Sequence, residues 1–378
     1  MVNTHKYTPI LKWKTAEKGA LKDLADVQKD CIIPLLEFVR PLELTEKDKK
    51  DGIQSPEDKL CDILSASIPN DIALSWGDGR VFFADFTLIF PEDLRTKFSE
   101  LFCENAVRLH LDFIPVVNLT ADSDDFHKHI VDISKKHSLS GICIRISSFD
   151  IRNTALVNNR LNKFTKKYSY NKSGISLLID LKENVGLKVY NTAFKGIQEI
   201  EAIDDFDNII LAGGAFPEDM TPYKIDTEIN SEIRNDWIGW STCSREPTGR
   251  IPAYGDYTIR HPIYNETVLR YAPSTTIKYT LPDTWRFFKG RAKKNEDYLA
   301  NAELLRKLPV FLQYGAEFSS GDRYINEKGL YHAEYQKLKM KKKPGAKIPG
   351  AGRTEDWLRA GINHHIAVVI DQLAKFHD

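Results

Sequence analysis

Eight short apolar runs, rich in β-branched residues, recur along this chain, and each is followed by a polar stretch of helical character. No other feature constrains the fold as strongly. The runs are residues 7–14, 32–38, 81–86, 113–119, 141–147, 175–181, 208–215 and 251–259. Strands buried on both faces of a parallel sheet read as continuous apolar runs, and a crossover of a dozen or more residues must separate them. Eight such units predict an α/β fold, a single (β/α)8 TIM-type barrel. Its chemistry belongs at the C-terminal ends of the strands. The rhythm breaks after Ile259. We therefore expect a barrel over residues 5–260 and an α-rich C-terminal extension over 261–378 packed on it.

Helix signals fall where the barrel needs them. Ser55-Pro56-Glu57-Asp58 and Ser123-Asp124-Asp125 are start signals, with a capping serine and acids near the positive end of the dipole. Periodicity predicts further helices over 153–167, 191–203, 227–240, 283–289, 297–308 and 354–376, and an extra strand over 275–280. Ser320-Gly321-Asp322 reads as a turn, and the basic, Gly- and Pro-containing stretch 337–353 as a mobile loop.

Seven of the eight runs carry a polar or charged residue near the C-terminal end: Lys12 and Lys14, Glu37, Asp85, Asn118, Arg145, Asp180 and Asp256. Charges are not tolerated among aliphatic layers without partners. Their repeated position predicts a polar ring at the barrel mouth. Glu37, Asp85, Asp180 and Asp256 are the candidate acids, bases or Mg2+ ligands, since a hard cation prefers oxygen donors. Lys12, Lys14 and Arg145 are candidate contacts for anionic oxygens, although salt bridging to Glu37 and Asp85 would satisfy them equally well. Glu17, Asn118, Gly213, Tyr257, Asp322 and Arg323 complete the ligand-binding candidates. His364 is a further acid–base candidate. Adjacent histidines on a helix point about 100° apart. The commoner explanation of the pair His364-His365 is therefore one core residue bonded to a backbone group and one surface residue.

Composition narrows the function classes. Lysine plus arginine equals aspartate plus glutamate, 53 each, so bulk attraction to nucleic acid or membrane is not expected. The five cysteines have no clip spacing and read as reduced thiols. No run approaches the roughly 20 apolar residues of a membrane span, and the expected location is the cytoplasm.

Several stretches together resemble the beta family of bacteriophage and bacterial proteins. They are YTPILKWKTAEKGAL at the N-terminus, IIPLLEF and PAYGDYT in the barrel, and QYGAEFSSGDRYI and WLRAGINHHIAVV near the C-terminus, so the likeness spans nearly the whole chain. Where that likeness leads one to expect a glycine before Glu17, this chain has Ala16. The resemblance implies a phage or bacterial setting, a place in phage–host conflict, and no assigned activity.

The leading expectation is a mouth that binds, and hydrolyses, a phosphorylated ligand such as a nucleotide or nucleic acid. The alternative is a non-catalytic recognition protein with a protein partner from a phage-defence locus. A glycoside-active barrel is the third.

Overall fold

The computed structural model describes residues 6–225, 230–245, 249–265, 274–341 and 348–377. Eight parallel strands close a barrel: β1 (Thr8–Lys12), β2 (Leu35–Glu37), β3 (Phe82–Asp85), β4 (Phe113–Asn118), β5 (Ile142–Ser147), β6 (Ile175–Asp180), β7 (Ile209–Gly213) and, after an outer strand β8 (Ser231–Ile233), β9 (Ala253–Asp256). Every one lies inside an expected run. Side chains alternate along each strand. Ile10, Leu35, Phe83, Ile114, Val116, Cys143, Leu178, Ile210 and Ala253 fill the axis. Leu11, Leu36, Phe82, Ala84, Val117 and Ile144 face the helices.

The helices that follow the first seven barrel strands are α1 (Thr15–Lys22), α2 (Ser65–Ser75), α3 (Glu92–Arg108), α4 (Asp124–Lys136), α5 (Thr154–Tyr168), α6 (Leu187–Gln198) and α7 (Asn235–Ser244). Capping residues act as their chemistry demands. Ser55 Oγ accepts from the Asp58 amide at 3.0 Å, and Ser123 Oγ from the Phe126 amide at 3.1 Å.

The chain then leaves the barrel. β10 (Ser274–Thr280) and β11 (Thr284–Ala292) form an antiparallel hairpin, and β8 joins the other edge of β11. After α8 (Glu296–Leu305) and α9 (Ser320–Lys341), the last helix, α10 (Thr354–His377), returns to the barrel. Phe376 packs 5.3 Å from the Trp240 ring of α7, and Asn363 donates to the Ala20 carbonyl of α1 at 3.2 Å. Lying between α7 and α1, α10 occupies the place of the eighth barrel helix. Among the described residues no helix is long and apolar enough to cross a membrane.

Four local expectations are corrected. Residues 284–292 form a strand, not a helix. Trp285 and Phe287 alternate onto the barrel side, and a two-residue turn at Pro282-Asp283 pairs the segment with β10. The helix expected over 227–240 begins only at Asn235, because Ser231–Ile233 is claimed by the outer sheet; residues 227–229 lie outside the described residues. Ser320-Gly321-Asp322 is the first turn of α9, where Ser319 Oγ accepts from the Asp322 amide at 3.1 Å. Of the loop expected over 337–353, residues up to Lys341 belong to α9, and residues 342–347 lie outside the described residues.

Gly321 lets α9 lie close against α10. A Cβ there would stand 2.1 Å from the Ala360 carbonyl oxygen and 3.1 Å from the His364 nitrogen. Backbone cannot yield as a side-chain tip does, so Gly321→Ala is expected to cost about 1–3 kcal/mol, read from urea unfolding. An unchanged midpoint would mean that the two helices separate freely.

Candidate functional site

Strand register assembles the mouth. Lys12 stands beside Glu37, Glu37 beside Asp85, and Asn118 beside Arg145. These residues share the parity of the axial layer, so their side chains converge on the barrel axis. Arg145 is the hub. Its Nε and Nη2 donate to Asp180 Oδ2 at 2.9 and 2.6 Å, and Nη2 also donates to Glu37 Oε1 at 3.0 Å and to the Tyr257 hydroxyl at 2.7 Å. Nη1 donates to Asp85. The Tyr257 hydroxyl donates to Asp180 Oδ2 at 2.8 Å, and Asn118 Nδ2 donates to Thr87 Oγ1 at 3.0 Å. Lys182 lies above, 3.5 Å from Glu37 and 3.3 Å from Asp180. Lys12 donates to the His261 carbonyl at 3.1 Å and stands 3.9 Å from Glu37 Oε2.

The hub is sealed. Arg145 is 4% exposed, Glu37 1%, Asp85 0% and Asp180 3%. Burial alone would raise the carboxylates. Around Asp180, Lys182 and Arg145, with the Lys182 amide and Tyr257, outweigh burial and hold it well below the usual carboxylate range. Glu37 is likewise lowered, by Lys182, Arg145 and Lys12 against burial. Burial, helped by Lys182 and Arg260 and resisted by Glu37, brings Lys12 down to about 8. The anionic contact expected of Arg145 is thus taken by protein carboxylates.

Those carboxylates are poor candidates for the roles that the sequence offered them. Glu37 and Asp180 stay ionised near neutral pH, and glycoside cleavage needs one carboxyl held protonated. Among the described residues no three His, Cys, Asp or Glu side chains form a group that could hold a metal. The expected Mg2+ does not fit a donor set already neutralised by a guanidinium.

Lys14 and Glu17 stand at the rim. Lys14 is exposed and donates to the Tyr264 hydroxyl at 3.2 Å. Glu17 is fully buried and binds Arg260 through Oε1, at 3.0 Å to Nε and 2.9 Å to Nη2.

The other sequence candidates lie elsewhere. Asp256 has the opposite parity to Tyr257 and points away from the axis, into the helix layer. There it accepts from the Tyr7 hydroxyl, from the Thr258 amide at 2.9 Å and from His365 Nε2 at 2.8 Å. Thr280 Oγ1 lies 3.0 Å from His365 Nδ1, so Thr280, His365 and Asp256 line up in the order of a hydrolase triad. All three are fully buried, and burial holds His365 below its usual range despite Asp256. The row is structural. His364 sits beside it, also fully buried, 2.8 Å from Asp322 Oδ2 and 2.8 Å from the Thr280 carbonyl. Neither histidine is at the surface, and His364 and Asp322 do not reach the mouth. Arg323 is exposed and pairs with Glu317 at 2.8 Å. Gly213 makes room for α6, since a Cβ there would meet the Tyr190 hydroxyl at 2.6 Å.

Three mouth cations escaped the sequence reading. Lys182 follows Asp180 at the same parity, a spacing that was available. Arg260 comes from the loop after β9. Lys278 comes from β10, which the barrel rhythm does not include.

A family model described as Beta protein matches residues 7–371. No curated protein matches the chain. With nearly its whole length matched, the chain belongs to the beta protein family.

Proposed function

We propose that the barrel mouth binds a phosphorylated ligand through Lys12, Lys14, Arg260 and Lys278. The observation that carries this reading is surplus local charge. Arg145, Lys182 and Lys12 offset Glu37, Asp85 and Asp180, and Arg260 offsets Glu17. Lys14 and Lys278 have no carboxylate partner among the described residues; burial brings Lys278 down to about 7, so its share of the surplus is complete only below that pH. The whole chain has zero formal net charge, so this surplus is concentrated rather than general. A nucleotide or sugar phosphate carries the anion that this surplus attracts. Hydrolysis is left out of this reading because the carboxylates are held by Arg145.

Charge gives the pH dependence its sign. Lys12 titrates at about 8, and only its protonated form attracts phosphate, so affinity weakens as the pH rises through that value. Binding below that range keeps the proton on, and near it takes a proton up. Calorimetry with ribose 5-phosphate and ATP, in buffers of different ionisation enthalpy, measures both effects. Lys12→Met should weaken binding by roughly tenfold or more. If neither compound binds, or if Lys12→Met and Lys14→Glu bind as the parent does, the reading is wrong.

A second reading, recognition of a macromolecular partner, is favoured by apolar side chains on the loops around the mouth. Phe149 is 79% exposed and Phe90 54%. It predicts that Phe149→Ser removes function while phosphate binding persists. Phage plating on bacteria that express the parent, Lys12→Met and Phe149→Ser chains tests the proposed part in phage–host conflict and separates the two readings.

A further inference from the structure

We propose that the C-terminal extension holds a second anion site, a cleft that takes a polyphosphate chain. It is separate from the barrel mouth and does not depend on the reading given there. The cleft has a volume of about 710 Å3. Three segments wall it: the turn 293–295 between β11 and α8, helix α9, and residues 348–353 ahead of α10. The segments are tied together. Asn295 Nδ2 donates to the Gly352 carbonyl at 3.1 Å, and Lys328 Nζ to the Gly350 carbonyl at 2.7 Å. Gly350 and Gly352 have φ of 101° and 78°, a backbone that glycine adopts freely and other residues rarely do.

Charge gives the cleft its preference. Lys293, Lys294, Lys328 and Arg353 line it, against Glu296 and Asp356. Both acids are engaged. Glu296 holds Lys339 at 2.9 Å and Arg291 at 3.6 Å, and Asp356 accepts from the Arg353 amide at 2.8 Å as it caps α10. Asp297, which Lys294 also senses, is taken by Arg291 at 2.7 Å. Among the described residues, Lys293, Lys294 and Lys328 form no ion pair with a carboxylate. Such a surplus around one concave space, in a chain of zero formal net charge, points to an anion of high charge density. The amides of Gly350, Ala351 and Gly352 donate to no described group, and successive free amides in a turn suit the same ligand. A monophosphate carries roughly −2 and cannot neutralise all these lysines, whereas a triphosphate chain can. The volume lies within the ~300–1,000 Å3 of small-molecule sites, so a free chain and a nucleoside triphosphate are both admitted. For a nucleotide, Tyr324 and Ile348 supply an apolar wall for the base.

The test is calorimetry of the full chain with sodium tripolyphosphate, ATP and inorganic phosphate. Tripolyphosphate should bind, and inorganic phosphate at least about tenfold more weakly. The double variant Lys293→Asn with Lys294→Glu should weaken tripolyphosphate binding by roughly tenfold or more. Asparagine tolerates the left-handed backbone at 293, where φ is 60°, and both side chains are exposed, so folding should be unchanged. Lys12→Met, which strikes the mouth, should leave tripolyphosphate binding in place. ATP binding more tightly than tripolyphosphate identifies a nucleotide as the ligand; equal or weaker binding identifies the free chain. No binding of tripolyphosphate, equal binding by the parent and the double variant, or loss in Lys12→Met alone overturns the proposal. So does binding of an oligothymidylate strand without binding of tripolyphosphate, which would make the cleft a nucleic-acid groove. Ribose 5-phosphate reports the mouth separately. If it fails to bind while tripolyphosphate binds through Lys293 and Lys294, the mouth reading falls and the cleft stands.

Discussion

Replacing Arg145 by methionine will cost about 3–5 kcal/mol of stability at pH 7.5, the largest effect expected of a single change at the mouth. The guanidinium touches Glu37, Asp85 and Asp180 at once, and all three carboxylates are buried. Methionine fills similar volume but leaves those charges facing one another, with only Lys182 and Lys12 nearby. The pH dependence identifies the cause. In the parent chain Glu37 and Asp180 have folded pKa values below the unfolded ones. Their contribution is present above the unfolded carboxylate pKa of about 4 and is lost as the pH falls through the lower folded values. Without Arg145, burial and mutual repulsion push these groups upward. A raised carboxyl favours the folded state most where it is protonated, so the variant recovers as the medium is acidified. Urea midpoints should therefore differ most at pH 7.5 and converge toward pH 5. A constant gap across that range would mean that lost packing, not charge, is responsible.

The same hub explains how far the sequence could be read. The eight barrel strands were legible because each had to be a compact apolar run, buried on both sides. The convergence of Lys12, Glu37, Asp85, Asn118, Arg145 and Asp180 followed from their common position at strand ends. What they do together was not legible. Whether Arg145 greets a ligand or binds three carboxylates depends on distances across the barrel, between residues 35 to 108 positions apart. Asp256 was misplaced because parity decides which of Asp256 and Tyr257 turns inward, and the run 251–259 is apolar on both sides of that choice. The pairing of Gly213 with Asp256 settles it. Lys278 was invisible because it reaches the mouth on a strand inserted between the last barrel strand and the last barrel helix. No pattern within β10 reports that neighbour. The aromatic run at 284–289 carries a strand's alternation, but its helical reading prevails until a hairpin partner is known.

His364 tests the distinction between a buried structural pair and a catalytic dyad, with the second-largest effect expected. Both of its ring nitrogens face oxygens, Asp322 Oδ2 and the Thr280 carbonyl, each at 2.8 Å. A backbone carbonyl only accepts. Asp322 already accepts from the Tyr279 hydroxyl at 2.9 Å through Oδ1 and from Ser319 at 2.6 Å through Oδ2. Asp322 thus ties the His364 ring, Tyr279 and Ser319 together. Asp322→Asn sets an amide NH2 against donors that need an acceptor and should cost about 3–5 kcal/mol in urea unfolding. The double variant Asp322→Asn with His364→Gln replaces both groups by neutral amides. It should recover a large part of that loss, a coupling of about 1–3 kcal/mol that only contacting residues show. At a temperature where all variants are folded, binding of ribose 5-phosphate at the mouth should be unchanged in each. Loss of that binding in Asp322→Asn, with stability intact, would return His364 and Asp322 to the functional site.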